Sequence, residues 1–139
     1  VLSNATMLHK AQVTSALKKI DQCILKLDAG TDEMFEKIDE PLGSISLGKI
    51  VKDLLKYDGD IIIQSMFFKG THKDEIVDNT TENELLKWLE HIVAINPKKV
   101  MIYSIDRDTP AKGLIKIEKD ELELIAEKVR AKKIDCEVA

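Results

Sequence analysis

Polar side chains that can bind a ligand follow several short apolar runs of this chain. Ser3 and Asn4 come directly after the first run, and Asp28 after the second. Gln64 lies near the end of the third run, and Ser104 follows the fourth. In parallel α/β sheets ligands bind at the carboxyl ends of the strands, so we expect these groups to share one edge. The row is more polar than packing turns require, which favours a ligand site.

Several of these residues also have an ordinary structural explanation. Asn4 and Asp28 can close turns or cap helices. Gln64 must find hydrogen bonds if it is buried, because an unpaired amide costs about 1–3 kcal/mol, and we favour a functional role there. His72 is expected in a loop, where exposure to solvent is the commoner outcome. Arg107 stands between two aspartates and can form an ion-paired turn with them.

Five short runs rich in Ile and Val predict the strands that would hold this row. They are residues 1–3, 24–27, 61–66, 100–103 and 134–138. Their near-continuous apolar character is typical of parallel strands covered on both faces. Helical patterns lie between them, at residues 7–20, 31–38, 46–57, 80–95 and 118–132. The sequence therefore predicts an α/β domain with about five mainly parallel strands alternating with helices. Residues 68–79 are expected to form one long loop, which is a candidate for function.

Length and charge limit the remaining possibilities. The chain has 139 residues, 44% of them hydrophobic, which fits a single folded domain and excludes disorder. A net charge of −4 makes nucleic acid an unlikely partner, since several phosphates need a basic face. No apolar run approaches the ~20 residues that span a bilayer, and the first residues do not resemble a secretion signal. We therefore predict a soluble cytoplasmic protein with no membrane contact.

Familiar metal and nucleotide motifs are missing from the sequence. Cys23 and Cys136 are its cysteines, and they lack the close spacing of iron–sulfur ligands, so we expect both to be small apolar strand residues. There is no histidine–cysteine cluster for zinc and no glycine-rich phosphate loop. A phosphoacceptor receiver domain would need paired acids after its first strand, where this chain has Ser3 and Asn4.

Four segments together resemble the later part of a radical S-adenosylmethionine (SAM) enzyme. They are VLSNATML at residues 1–8, ILKLDAG at 24–30, IQSMFFKG at 63–70 and YSIDRDTP at 103–110. The resemblance extends over nearly the whole chain, and the last segment is its most specific part. It is strongest to the Fe–S oxidoreductases similar to molybdenum-cofactor and wyosine-type synthases.

The resemblance implies a partial (β/α)6 barrel, with residues 1–139 forming one domain, the C-terminal portion of that barrel. Its first two strands would then be missing, and the strand at residues 1–3 would be an open edge. We expect that edge to be covered either by a preceding segment or by a second copy in a homodimer. The opening Val1 and Leu2 suggest that the chain begins inside a larger protein.

Contacts to SAM and to substrate follow from the resemblance one position at a time. The residues implied to bind the cofactor are Ser3, Asn4, Asp28, Gln64, Met66, Tyr103, Ser104 and Ile105. His72 and Arg107 would face a substrate whose identity the sequence does not name.

The reaction implied by the resemblance is one-electron reductive cleavage of SAM to a 5′-deoxyadenosyl radical. The electron comes from a [4Fe–4S] cluster bound by a CxxxCxxC motif that this chain lacks. We therefore predict no metal ligands here and no radical chemistry by this chain alone. Two alternatives stay open: a non-redox α/β domain that binds a nucleoside, and a receiver-like interaction domain.

Overall fold

The computed structural model describes residues 1–106 and 113–139, which form helices alternating with strands. The strands are β1 Leu2–Ser3, β2 Ile24–Lys26, β3 Ile62–His72, β4 Glu75–Asp78, β5 Lys99–Ser104, β6 Leu114–Lys116 and β7 Cys136–Val138. The helices are α1 Ala11–Leu17, α2 Asp32–Asp39, α3 Leu47–Leu55, α4 Glu82–Ile95 and α5 Lys119–Arg130. None of these helices is long and apolar enough to cross a membrane.

Five parallel strands build the main sheet in the order β1-β2-β3-β5-β7. Each new strand is added on the same side of the previous one. Because such crossovers are right-handed, their helices collect on one face and leave the opposite face uncovered by them. A receiver domain instead reverses direction after its first strand, in the order 2-1-3-4-5. The α/β prediction is confirmed, with the strand order of an open barrel and β1 at its edge.

The helix-covered face of the sheet carries the core. Leu25, Ile63, Val100 and Cys136 lie side by side in register, and all are buried. Trp88 of α4 packs on this row and is 2% exposed. Its indole Nε1 donates to Ser65 Oγ at 3.0 Å, which shows that the row faces the helices.

Capping side chains set the starts of three helices. Thr31 accepts the amide of Met34, Ser46 that of Lys49, and Thr81 that of Glu84. These starts agree with the sequence-based predictions. By contrast, α1 spans Ala11–Leu17 and is shorter than the predicted 7–20, and its N-cap Lys10 provides no side-chain hydrogen bond.

The predicted loop at residues 68–79 is wrong: these residues form a β-hairpin. β3 continues to His72, well beyond the predicted end at Met66, and pairs antiparallel with β4. The turn residues Lys73 and Asp74 both have positive φ, of 50° and 61°. This is the backbone of a tight hairpin turn, which usually contains Asn-Gly or Asp-Gly, so the Lys-Asp pair gave no signal. β6, which the sequence analysis did not predict, pairs with the other side of β3.

The loop after β2 is packed directly against α4. The Glu84 carboxylate accepts the Gly30 amide at 2.8 Å and the Thr31 hydroxyl, although its spacing from Thr81 predicts a reciprocal capping box. A Cβ placed on Gly30 would lie 2.3 Å from the Glu84 carbonyl oxygen and 2.6 Å from the Trp88 nitrogen. Glycine is required here by the close approach of two backbones.

We therefore expect Gly30→Ala to lower the free energy of unfolding by about 1–3 kcal/mol, since the added methyl group forces the loop away from α4. Gly48→Ala is the matched control. A Cβ on Gly48 meets nothing within 4 Å. That exposed helical change should raise stability by about 0.5–1 kcal/mol. Urea denaturation followed by circular dichroism measures both, and equal effects of the two substitutions would contradict the packing argument.

Candidate functional site

The face of the sheet opposite the core carries a row of polar and half-buried side chains. Lys26, Gln64 and Met101 lie side by side in register on β2, β3 and β5, and Met66 pairs with Tyr103 one step further along. Successive residues of a strand point to opposite faces, so this row faces away from the helices. We call this helix-free face, with Lys26, Gln64, Met66, Met101 and Tyr103, the inner surface.

Asp28 lies just beyond β2 and is 3% exposed. Its Oδ1 accepts the Met66 amide at 2.8 Å, and its Oδ2 is 3.0 Å from the Lys26 ammonium. The carboxylate therefore joins the carboxyl end of β2 to β3. This is more than a turn closure, which was the structural alternative for this residue.

Burial has the largest effect on the pKa of Asp28 and raises it. The attraction of Lys26 and the hydrogen bond from the Met66 amide lower the same pKa by less. Asp39, at the end of α2, has its pKa raised to about 6 by desolvation and then by repulsion from Asp28. The pKa of Tyr103 is raised by burial, with Lys26 opposing the rise. The charges of Asp28, Asp39 and Lys26 thus affect the pKa values of groups at the carboxyl ends of the inner-surface strands, Tyr103 among them.

Gln64 lies in the middle of β3, since that strand continues to His72. Its Oε1 is buried and has no hydrogen-bond partner among residues 1–106 and 113–139. An unpaired buried acceptor costs free energy, and in a folded protein it calls for an explanation. On this inner surface it offers an acceptor to a ligand that carries an N–H or O–H group.

Ser3 and Asn4 close the turn after β1. Asn4 Oδ1 accepts the Thr6 amide at 3.2 Å and its hydroxyl at 2.8 Å, and Ser3 Oγ accepts the Ala5 amide at 3.3 Å. Asn4 also borders a small cavity with Lys26. Their predicted contact with a cofactor stays a prediction beside this observed local role.

The predicted sites on and after β5 divide between the two faces of the sheet. Tyr103 is on the inner surface, next to Met66. Ser104 is buried on the helix side, where its hydroxyl donates to the Phe67 carbonyl at 2.7 Å and accepts the Ile117 amide at 2.8 Å. Ile105 packs against the core. The side chains of Ser104 and Ile105 are thus engaged within the protein, and their implied contact with SAM stays a prediction.

His72 is the last residue of β3, six positions beyond Met66 and next to the hairpin turn. Its Nε2 is 3.1 Å from Glu40 Oε1, and Lys73 contacts the same oxygen at 2.8 Å. These three groups border an open groove of about 740 Å³ between α2 and the hairpin. His72 is thus separate from the group formed by Asp28, Lys26 and Asp39. The other predicted substrate residue, Arg107, lies outside the described residues.

The cysteines do not form a metal site. Cys23 and Cys136 are both buried and free, as expected for apolar strand residues. Burial raises the pKa of the Cys136 thiol to about 11, which disfavours the thiolate that a metal needs. Within residues 1–106 and 113–139, no group of three or more histidine, cysteine or acidic side chains is arranged to hold a metal ion.

Sequence reasoning missed three residues around Asp28, namely Lys26, Asp39 and Asn79. Lys26 interrupts the apolar run of β2 at an inward position, and its charge was the available signal. Asp39 comes beside Asp28 only because α2 returns towards the sheet. Asn79 follows β4 and is 2% exposed, with all its side-chain hydrogen bonds directed to β3 and the Asp28 loop.

Comparison with known proteins identifies distant relatives. No protein-family model matches the chain. A UPF0026 protein of Helicobacter pylori is 29% identical over 126 residues, which cover 88% of this chain and 38% of the relative. The chain thus spans well under half of that curated relative.

Solved structures share the fold. A domain of pyruvate-formate lyase-activating enzyme from Bacteroides vulgatus matches with a TM-score of 0.74 and 7% identity, covering 99% of this chain and 78% of that one. A radical SAM methyltransferase from Sphaerobacter thermophilus matches with a TM-score of 0.71 and 12% identity, covering 99% and 39%. The fold of this chain is therefore shared with these two solved structures.

The Asp39 environment predicts a pH-dependent stability. Its pKa is raised on folding from 3.8 to about 6, so the folded state favours the protonated form. The contribution of Asp39 to stability is then fully present below about pH 4 and is lost as the pH rises through about 6. Asp39→Asn should raise the free energy of unfolding at pH 7 and remove that part of the pH dependence. Because Asp39 is an exposed residue, solvent screens the effect, and we expect less than about 1 kcal/mol.

Glu36→Gln is the control, since it removes a charge from an exposed site on the same helix. Urea unfolding at pH 4.5, 6 and 7.5 compares the two variants with the parent. A pH profile altered equally by both substitutions would show that the charge of α2, and not the proximity to Asp28, is responsible.

Proposed function

We propose that this chain is the SAM-binding C-terminal portion of a radical SAM barrel and that its inner surface holds the cofactor. The buried Gln64 Oε1 on that surface, unpartnered among the described residues, carries the proposal, because such an acceptor calls for a partner and a ligand N–H or O–H group would supply one. The shared fold supports the class of ligand, since a radical SAM methyltransferase is among the solved structures that share it.

The residues present fit SAM by charge and by hydrogen bonding. SAM carries two cationic groups, the sulfonium and the α-ammonium, and one carboxylate. Asp28 and Asp39 match the cations, Lys26 matches the carboxylate, and Gln64 Oε1 can accept from the adenine amine or a ribose hydroxyl. Met66 and Tyr103 add apolar surface for the nucleoside. Lys26, Gln64, Met66 and Tyr103 lie on one face of β2, β3 and β5, whereas Asp28 lies just beyond β2 and Asp39 at the end of α2.

An iron–sulfur cluster does not fit the described residues, since they contain no suitable set of ligands. Any cluster must be bound elsewhere in the native polypeptide. There it would supply the electron that cleaves SAM to a 5′-deoxyadenosyl radical. This chain's own contribution is to bind SAM, orient it and shield it from water.

Anaerobic reconstitution of the full native polypeptide with iron and sulfide tests the radical assignment. Reductant and SAM should then yield 5′-deoxyadenosine, measured by chromatography. SAM binding without this product would leave the non-redox nucleoside-binding alternative. Absence of SAM binding would refute the proposal as a whole.

The substitution Gln64→Leu tests whether the Gln64 side-chain amide serves ligand binding or the stability of the fold. Removing an unpartnered buried amide should leave the unfolding free energy unchanged or raise it by up to about 1 kcal/mol. The same change should weaken SAM about tenfold, because the acceptor is lost where the ligand needs it. Calorimetric titration with SAM and S-adenosylhomocysteine, without iron, measures affinity, and thermal unfolding measures stability.

Gln12→Leu is the matched control, since Gln12 is an exposed residue of α1. It should leave both quantities nearly unchanged. Unaltered SAM affinity in Gln64→Leu would show that the amide serves the fold alone.

A further inference from the structure

We propose that Asn79 is a positioning residue that holds the Asp28 carboxylate in place for the ligand. The inference rests on the proposed function, because it concerns the same inner surface. Asn79 lies where β4 ends, outside the strands that form that surface. It would act through Asp28 and Met66 without contacting the ligand itself.

Asn79 uses its whole side-chain amide to join the ends of two strands. Its Nδ2 donates to the Asp28 carbonyl at 2.8 Å and to the Met66 carbonyl at 2.7 Å. Its Oδ1 accepts the Phe68 amide at 2.9 Å. With 2% of its surface exposed, it makes these bonds in a setting where water cannot replace them.

The bonds occur where the sheet's own ladder stops. The last regular bond from the β2 side runs from the Leu27 amide to the Gln64 carbonyl, at 3.0 Å. Beyond it, the Met66 amide donates to the Asp28 side chain and not to a backbone carbonyl. Asn79 supplies the missing backbone connection by bridging the Asp28 and Met66 carbonyls. The position of the Asp28 carboxylate therefore depends on a residue 51 positions further along the chain.

The chemistry of the contacts selects asparagine. Two carbonyl oxygens require two N–H donors on one atom, and an amide N–H requires an acceptor on the other. Aspartate would place an anion against both carbonyls, and leucine would leave three backbone groups unpaired. The same bonds join the hairpin to the ligand-facing surface, because Phe68 and Asn79 lie at the base of the β3–β4 hairpin.

The test compares Asn79→Ala with a control of similar structural cost, Ser65→Ala, in the full native polypeptide. Ser65 is fully buried at the same level of β3, where its Oγ donates to the Leu27 carbonyl and accepts Trp88 Nε1. Its bonds also link β2 to β3, but on the helix side. Both variants should unfold at lower temperature than the parent.

SAM affinity should distinguish them. Calorimetric titration well below all unfolding temperatures should show about tenfold weaker binding for Asn79→Ala, since a displaced binding group loses its alignment. Ser65→Ala should bind within about twofold of the parent. In an Asp28→Asn background, Asn79→Ala should cost less than about threefold, because the charge it positions is already absent. An equal loss in both backgrounds would show that Asn79 does not act through Asp28, and parent-like affinity of Asn79→Ala would overturn the inference outright.

A second measurement does not depend on SAM. Hydrogen exchange of the Met66 amide, referenced to the Ile63 amide of the same strand, reports how firmly Asp28 holds it. Exchange should accelerate about tenfold in Asn79→Ala and by much less in Ser65→Ala. If the parent failed to bind SAM, the proposed function would fall while this measurement still decided the positioning role. Unchanged Met66 protection in Asn79→Ala would refute that role.

Discussion

The sheet depends on β3, which has different neighbours along its two halves. Over its first half it pairs in parallel with β2 and β5, and over its second half it pairs antiparallel with β4 and β6. The first half fixes the order of the barrel strands and aligns Lys26, Gln64 and Met101. The second half forms the hairpin that carries His72. One strand therefore runs from the inner surface to the groove beside α2.

Stability and ligand binding are divided between the two faces of this strand. The helix side buries Ile63, Ser65 and Phe67, and Phe67 meets Trp88 edge to face at 5.1 Å. The inner side keeps a buried carboxylate and an unpaired amide oxygen, both unfavourable without a partner. The apolar side offsets that cost, so the polar side can stay organised for a ligand. Functional sites commonly retain such locally unfavourable groups.

Sequence patterns predict the parts of this structure that depend on local composition. The apolar runs around Ile24, Ile63 and Val100 identify three parallel strands because burial on a sheet requires them. The hairpin escapes prediction because Lys73 and Asp74 adopt a conformation that their types seldom show. The Asp28–Asp39 proximity and the Asn79 bridge depend on how distant segments return to the sheet. No local pattern encodes them, although a lysine inside the apolar run of β2 marks the inward face.

The charges of Asp28 and Lys26 bear on the raised pKa of Asp39 and on what it could do for a ligand. Without a ligand, Asp28 and Asp39 repel each other, and Lys26 compensates chiefly Asp28. A ligand with one anionic and two cationic groups would balance this set, since Lys26 and both carboxylates would each gain a partner. Binding such a ligand must lower the pKa of Asp39, because an added cation favours the ionised form. By linkage, the affinity for a cationic ligand then rises with pH until Asp39 is fully ionised. The repulsion between Asp28 and Asp39 lowers the stability of the free protein. Because a cationic ligand relieves this repulsion, it also favours binding of the proposed cofactor.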